Sequence, residues 1–374
     1  MPYYRYFFLL TAFLWAIGIA PVSLAAHKIV VLTSQASDSE KNQAVYQGLL
    51  SSFEQTYEEG TTTYSLSNGY DIELVNYVPG ENPLVAYSND SEVIAILCRT
   101  SSDCALALDD SAAKDLLVIT LTATSSKFAD KDNIFRLAPS NAVQATAIYE
   151  HLKENKEIKR FGIIYEASTY AMDLYSAFLS QYFLDIINEN QKPIFVGAFP
   201  INDFLNLSAV QTGDKAIIET TLQMLPQLNL DAVIFAGFKN SFEALTKKGS
   251  HAIAQEWYAG DALFPLATGF SGLHVFSLYQ PEHEDSQYGQ YYYSFDAGTL
   301  LQEVMKTYVT QFAEKTPQRD KFLEIAKETH IPVEFSKTGR KSFTEADHVG
   351  HFNIQRYDEQ GKPSSPEEKV VIVH

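Results

Sequence analysis

Val93-Ile-Ala-Ile-Leu97, running on into Cys98-Arg99-Thr100-Ser101-Ser102, is a short apolar run ended by a polar loop. A run that brief and that uniformly apolar reads as a strand buried on both faces. The polar residues behind it would open a helix near Ser102. Outward from this strand the same alternation repeats. Upstream, Lys28-Ile-Val-Val-Leu32 is a buried strand, and Ser37 with Glu40 makes a capping box. Val45, Leu49, Phe53 and Tyr57 then recur every fourth residue, marking one helix face. Tyr70 to Val75 is a further strand, and Leu116 to Leu121 follows downstream. Strand, helix, strand in repeated order means an α/β domain with a mainly parallel sheet.

A second series begins after Pro139. Asn141 to Glu154 has helical period, Arg160 to Tyr165 is a strand, and Tyr170 to Asn188 is a long helix. Pro193 to Val196 is a strand, Lys215 to Leu225 a helix, and Asp231 to Phe235 a strand that stops at Gly237. Ser241 to Gln255 reads as helical again. The last hundred or so residues are less regular. Tyr291 to Lys315 is expected to be a helix, with strands at Phe352 to Tyr357 and Val370 to Val373 and a loop over Gln280 to Gly289. No low-complexity linker separates the two series, so the halves are expected to share an interface.

Length and composition bound the function. Behind Arg5, the apolar run from Tyr6 to Ala20 is ended by Pro21, and Val22-Ser23-Leu24-Ala25-Ala26 offers small residues for cleavage. This is expected to be an export signal removed after Ala25, residues 1–25, with an uncleaved anchor as the alternative. The run is about 15 residues, shorter than the ~20 needed to span a bilayer. The remaining chain of about 350 residues exceeds what one core usually supports. A formal net charge of −18 argues against nucleic acid or an anionic membrane surface as partner. The two cysteines, Cys98 and Cys104, are a disulfide candidate in an exported protein. Closing so short a loop contributes roughly 2 kcal/mol by chain entropy.

Several segments resemble the type I periplasmic binding fold in its branched-chain amino-acid (leucine-binding) branch. Ile134-Phe-Arg-Leu-Ala-Pro-Ser-Asn141 is similar to that family's crossing into its second lobe, and Phe161 to Tyr165 followed by Tyr170 to its next strand and loop. Leu97-Cys98 with Thr100-Ser101-Ser102, and Thr122-Ala-Thr-Ser125, resemble its third strand end and its hydroxyl-rich loop. Tyr293 to Ala297 and Phe352 to Asp358 with Gly361 resemble its late helix and closing hairpin. The resemblance runs from Lys28 to the C-terminus. It implies two Rossmann-like lobes with parallel-rich sheets, joined by three hinge crossovers near Ser140, Leu266 and Pro332. Lobe 1 would be residues 27–140 plus 267–332, and lobe 2 residues 141–266 plus 333–374.

The same resemblance implies a small, amino-acid-like ligand held between the lobes and a periplasmic location. The partner would be the permease of an ABC importer or, alternatively, a sensor. Open parallel sheets also place ligands at strand C-termini on physical grounds, because helix N-termini and free amides converge there. Arg99 would contact a carboxylate, or pair with Asp103, or stand in solvent; the family carries a small hydroxyl residue there. Thr122 and Thr124 would bind the ligand's ammonium and carboxylate, or serve as turn and cap residues. Tyr170 and Phe238 would line the cleft or belong to the core; Ala171 and Phe238 depart from the family's Gly and Tyr. Asp261 would meet the ligand ammonium, or cap a helix.

Catalytic and cofactor signatures are thin. Gly269-Phe-Ser-Gly-Leu273 has Leu where the nucleophile elbow needs Gly. No Walker A or GxGxxG sequence follows a strand. His283 among Glu282, Glu284 and Asp285, and His348 with His351, read as solvated loop residues before they read as metal ligands. No enzyme activity, cofactor or metal is expected; an exported hydrolase using Ser271 is the remaining alternative.

Overall fold

The computed structural model describes residues 27–34, 39–77, 90–99, 114–128, 131–188, 193–201, 223–247, 249–264, 268–278, 288–312, 317–338, 341–343, 349–363 and 368–373, with residues 87, 89 and 266. The expected signal peptide, the capping residue Ser37, Cys104, and the His283 and His348 segments lie outside these.

Apolar strands that cannot face water on either side gather into two sheets. In lobe 1, β1 (His27–Ser34), β2 (Thr63–Ser65), β3 (Tyr70–Tyr77), β4 (Val93–Cys98), β5 (Leu117–Thr120) and β6 (Ile134–Arg136) pair in the order β2-β3-β1-β4-β5-β6. All neighbours are parallel except the edge pair β2–β3. Every residue of β4 and β5 is buried, which requires cover on both faces. Helix α1 (Ser39–Ser52) supplies part of it, and its face of Val45, Leu49 and Leu50 is fully buried.

Lobe 2 begins with α2 (Asn141–Glu154), whose first turn is capped by Ser140 Oγ accepting from Val143 N at 3.2 Å. Then come β7 (Arg160–Glu166), α3 (Thr169–Asn188), β8 (Ile194–Ile201), β9 (Ala232–Ala236), α4 (Lys239–Lys247), β10 (Glu256–Ala259) and β11 (Leu273–Leu278). These strands run parallel in the order β8-β7-β9-β10-β11. The closing strands β12 (Val349–Arg356) and β13 (Glu368–Val373) add an antiparallel hairpin beside β11. The parallel parts of the two sheets therefore share one topology: β3-β1-β4-β5-β6 in lobe 1 corresponds to β8-β7-β9-β10-β11 in lobe 2.

Between β11 and β12 the chain returns to lobe 1. Helix α5 (Gly289–Phe312) lies on α1 so closely that a Cβ on Gly48 would stand 2.1 Å from the Tyr291 carbonyl oxygen. Helix α6 (Arg319–Glu328) buries Phe322 and Ala326 in the same core, which also takes Ile331 and Phe343. Asp296 on α5, fully buried, ties down the segment that follows. Its carboxylate accepts from Ser336 Oγ (2.8 Å), Lys337 N (2.7 Å), Thr338 N (3.0 Å) and Thr338 Oγ1 (2.5 Å).

Two of the expected crossings move. Near Ser140 the chain passes from β6, in the first sheet, to α2, which packs with the second. The crossing placed near Leu266 falls between Leu278 and Gly289, because β11 pairs with β10 and β12 and belongs to the lobe 2 sheet. The one placed near Pro332 falls between Phe343 and Val349, because the segment to Phe343 is held in the lobe 1 core. Residues 268–278 thus go with the second sheet, and 333–338 and 341–343 with the first lobe.

Three elements also differ from expectation. The helix expected over Ser241 to Gln255 ends at Lys247; Gly249 adopts φ +77°, a left-handed conformation that stops it, and a short 3-10 turn follows over Ser250–Ile253. Helix α6 was not anticipated, and β8 runs on to Ile201 beyond the expected Val196.

Candidate functional site

In the first sheet β1 lies between β3 and β4, and in the second β7 lies between β8 and β9, so each sheet reverses its strand order there. A crevice opens at the C-terminal ends of such strands. At those ends in lobe 1 stand Thr33, Asn76, Arg99 and the loop from Thr122. Thr33 Oγ1 lies 2.5 Å from the Tyr46 hydroxyl and donates to Asn76 Oδ1 at 3.3 Å. Burial raises the Tyr46 phenol above its ordinary pKa, while the bond to Thr33 and the charge of Arg99 oppose the rise. Arg99 is buried, at 7% exposure, so it is not a solvated side chain. Its Nη1 donates to Asn42 Oδ1 in the first turn of α1 at 2.9 Å, and its carbonyl accepts from Thr122 Oγ1 at 2.9 Å. Asp103, the other partner considered for it, lies outside the described residues.

The loop after β5 passes through Thr122, half-buried, to Thr124 and Ser125, both buried. The Thr124 carbonyl accepts from Asn141 N at 2.8 Å, across the crossing between the lobes. The Ser125 carbonyl accepts from Arg136 Nη1, whose guanidinium lies 5.9 Å from the Phe128 ring centroid. Cys98, at the end of β4, is fully buried and disulfide-bonded; the chain's other cysteine is Cys104.

Lobe 2 presents a different surface. Tyr170, in the first turn of α3, has its hydroxyl 3.1 Å from Asp261 Oδ1 and 3.2 Å from Gln144 Oε1. Gln144 Nε2 donates to Asp261 Oδ1 at 2.9 Å. Asp261 is half-buried as a residue, but its carboxylate is enclosed by Tyr170, Gln144 and the backbone of its own turn. Burial raises its pKa above the usual carboxylate value; the bonds from Gln144, Tyr170 and the N–H groups of Asp261 and Ala262 oppose the rise. Burial, and then the Asp261 charge, push the Tyr170 phenol well above its ordinary value. Asp261 is the first residue of a 3-10 turn over Asp261–Leu263 whose N-cap is Gly260 with no side-chain cap bond, so it is not the capping residue. Gly260 has no room for a side chain: a Cβ there would stand 2.3 Å from the Tyr170 hydroxyl.

The Phe238 ring lies 5.5 Å from that of Tyr170 and is 43% exposed, so it is a surface aromatic and not a core one. Its backbone N–H donates to Glu166 Oε1 at 2.9 Å. Glu166 is buried at the end of β7, and its charge adds to the upward push on Tyr170.

The structure therefore assembles Tyr170, Phe238 and Asp261 into one group, and Arg99 with Thr122 into another on the opposite lobe. Sequence reading missed Glu166, which directly follows the expected strand ending at Tyr165 and could have been found by the rule that located the other loops. It also missed Gln144, Asn42 and Tyr46, polar residues on helices whose facing is not legible from spacing alone.

The hydrolase geometry is not met. Ser271 is exposed on the turn before β11, at the strand's N-terminal end, whereas a nucleophile elbow follows its strand. Among the described residues no group of three His, Cys, Asp or Glu side chains is arranged to hold a metal ion, and no helix is long and apolar enough to cross a membrane.

Solved structures share this fold. LivJ, the branched-chain amino acid transporter substrate-binding protein of Streptococcus pneumoniae, solved with isoleucine, superposes with a TM-score of 0.67 at 16% identity, covering 92% of this chain and 99% of that one. The chain has the type I periplasmic binding fold. The leucine-binding protein LivK of Thermotoga maritima superposes at 0.64, with 16% identity and coverage of 93% and 99%. An ABC transporter substrate-binding protein of Desulfitobacterium hafniense, solved with Leu, superposes at 0.63, with 18% identity and coverage of 92% and 100%. No protein-family model matches the chain, and no curated protein matches it. At this level of identity the likeness establishes the architecture, two parallel-rich lobes whose strand ends define a cleft.

Proposed function

We propose that this protein is an exported solute-binding protein that closes its two lobes on a small α-amino-acid-like ligand and delivers it to an ABC importer in the periplasmic space. The observation that carries the reading is the pair of polar groups at the strand ends. Arg99 with the Thr122 and Thr124 loop stands on one lobe, and Asp261 with Tyr170 and Phe238 on the other. A zwitterion offers a carboxylate to hydroxyls, amides and a guanidinium, and an ammonium to a carboxylate. Hinge closure would bury it between the two. The N-terminal apolar segment with its small-residue end supports export, with cleavage after Ala25.

Thermal melting against a panel of natural amino acids tests the reading, since a ligand that binds only the folded form raises the midpoint. One or a few amino acids are expected to shift it; no shift across the panel would overturn the amino-acid assignment. A sensory role for the same fold, with a receptor in place of a permease, is the second reading. It would be favoured if the liganded protein bound a membrane receptor and no permease.

A further inference from the structure

Two hydrogen-bonded rungs join the N-terminal parts of α2 and α3. In one, Gln144 meets Tyr170 and passes on to Asp261. In the other, one helical turn away on each helix, Asn141 Nδ2 donates to Asp173 Oδ2 at 2.7 Å. This second rung reaches into the opposite lobe. Asp173 Oδ2 accepts from Ser126 N at 2.8 Å, and Asp173 Oδ1 accepts from Ser126 Oγ at 2.5 Å. Ser126 ends the Thr122–Ser126 loop, which carries the lobe 1 hydroxyl groups. Tyr170 and Asp173 sit three residues apart on α3, so one turn of helix presents both the cleft aromatic of lobe 2 and the carboxylate that grips lobe 1.

We propose that Asp173 is the closure clamp of this protein: a positioning residue that acts through the Thr122–Ser126 loop, and not by touching the ligand, to set how readily the lobes stay together. The bonds that the Asp173 carboxylate accepts from Ser126 and Asn141 are charge-assisted. Ser126 is exposed and Asp173 half-buried, so water competes for the same bonds and the clamp is reversible. The Thr124 carbonyl accepts from Asn141 N beside it, which places the clamp next to the crossing between the lobes. The inference rests on the reading of a protein that closes on a solute.

Small-angle X-ray scattering of the ligand-free full chain tests it directly, comparing wild type with Asp173→Ala and Ser126→Ala. Both variants are expected to show a larger radius of gyration, the Asp173 variant more, with melting midpoints close to wild type. Ser126→Ala keeps the Asn141–Asp173 rung within lobe 2, so it decides the matter if Asp173→Ala does not fold. Affinity for L-leucine or L-isoleucine, whichever raises the wild-type midpoint, should fall about tenfold in Asp173→Ala through faster dissociation, because the binding-competent fraction is smaller. Scattering curves of both variants that superimpose on wild type would overturn the clamp. If no amino acid binds, the scattering still judges the clamp, and it is the solute reading that fails.

Discussion

Asp296 in lobe 1 and Asp261 in lobe 2 are both enclosed carboxylates, held by different kinds of donor. Asp296 in lobe 1 is fully buried and saturated by four hydrogen bonds from Ser336, Lys337 and Thr338. Asp261 in lobe 2 takes its side-chain bonds from Gln144 and Tyr170, at the mouth of the cleft. Burial raises both pKa values. The difference lies in where the donors come from. Those of Asp296 belong to the strap leading to the third crossing, so its charge staples chain to chain. Those of Asp261 come from the N-terminal turns of two helices, α2 and α3, so its charge ties helix to helix at the end of β10. An acidic residue's burial therefore says little about function until the elements that bury it are known.

The largest effect expected from breaking this comparison is on folding. Asp296→Ala strands the four donors of the strap and should cost about 2–3 kcal/mol of stability. Urea denaturation of the ligand-free protein measures it, and a loss below about 1 kcal/mol would show that the strap is not held by this residue. Asp261→Asn should act on the other axis. It keeps the shape and relieves the desolvation of a charge, so the ligand-free melting point should hold or rise slightly. Affinity for an α-amino acid should nevertheless fall about tenfold to a hundredfold through loss of a charge-assisted bond. Calorimetric titration separates the two quantities; equal affinity in the variant removes Asp261 from the ligand site.

A smaller effect is expected with pH, and it has opposite signs for stability and binding. Because the folded-state pKa of Asp261 lies above the ordinary value, the ligand-free fold holds its proton more tightly than the unfolded chain does. That contribution to stability is complete below the unfolded value and is lost as pH rises through the folded value; Asp296 acts in the same direction. Binding an ammonium requires the ionised form. Affinity should hold near neutrality and decline as pH falls through the raised value, sooner than for an exposed aspartate. Titrations from about pH 7 to about pH 4 check this, and a flat profile in wild type would contradict an ammonium–Asp261 contact.

The positions of the candidate site residues were legible before any coordinates, because they follow from strand ends. Arg99, Thr122, Phe238 and Asp261 each follow a short apolar run, and a parallel sheet gathers such positions at one edge whatever the rest of the chain does. Arg99 shows the limit of that reading. Its place was legible, but its bond to Asn42 depends on how α1 is rolled against the sheet. The residues that were missed share this cause. Gln144, Tyr46 and Asp173 sit on helices, where a polar side chain at a given spacing looks the same whether it meets solvent, a neighbouring helix or the other lobe.

What the amino-acid order alone determined was the alternation of strand and helix, the parallel character of both sheets and the loops that lead into the cleft, since these follow from short-range apolar periodicity. Tertiary structure alone decided which sheet receives each returning segment. Leu273–Leu278 is apolar enough to be buried in either lobe, and only the backbone hydrogen bonds it makes to β10 and β12 assign it to the second. Likewise only packing brings Asp173 to Ser126, 47 residues away in sequence, because contacts between lobes are set by where two independently formed cores come to rest against each other.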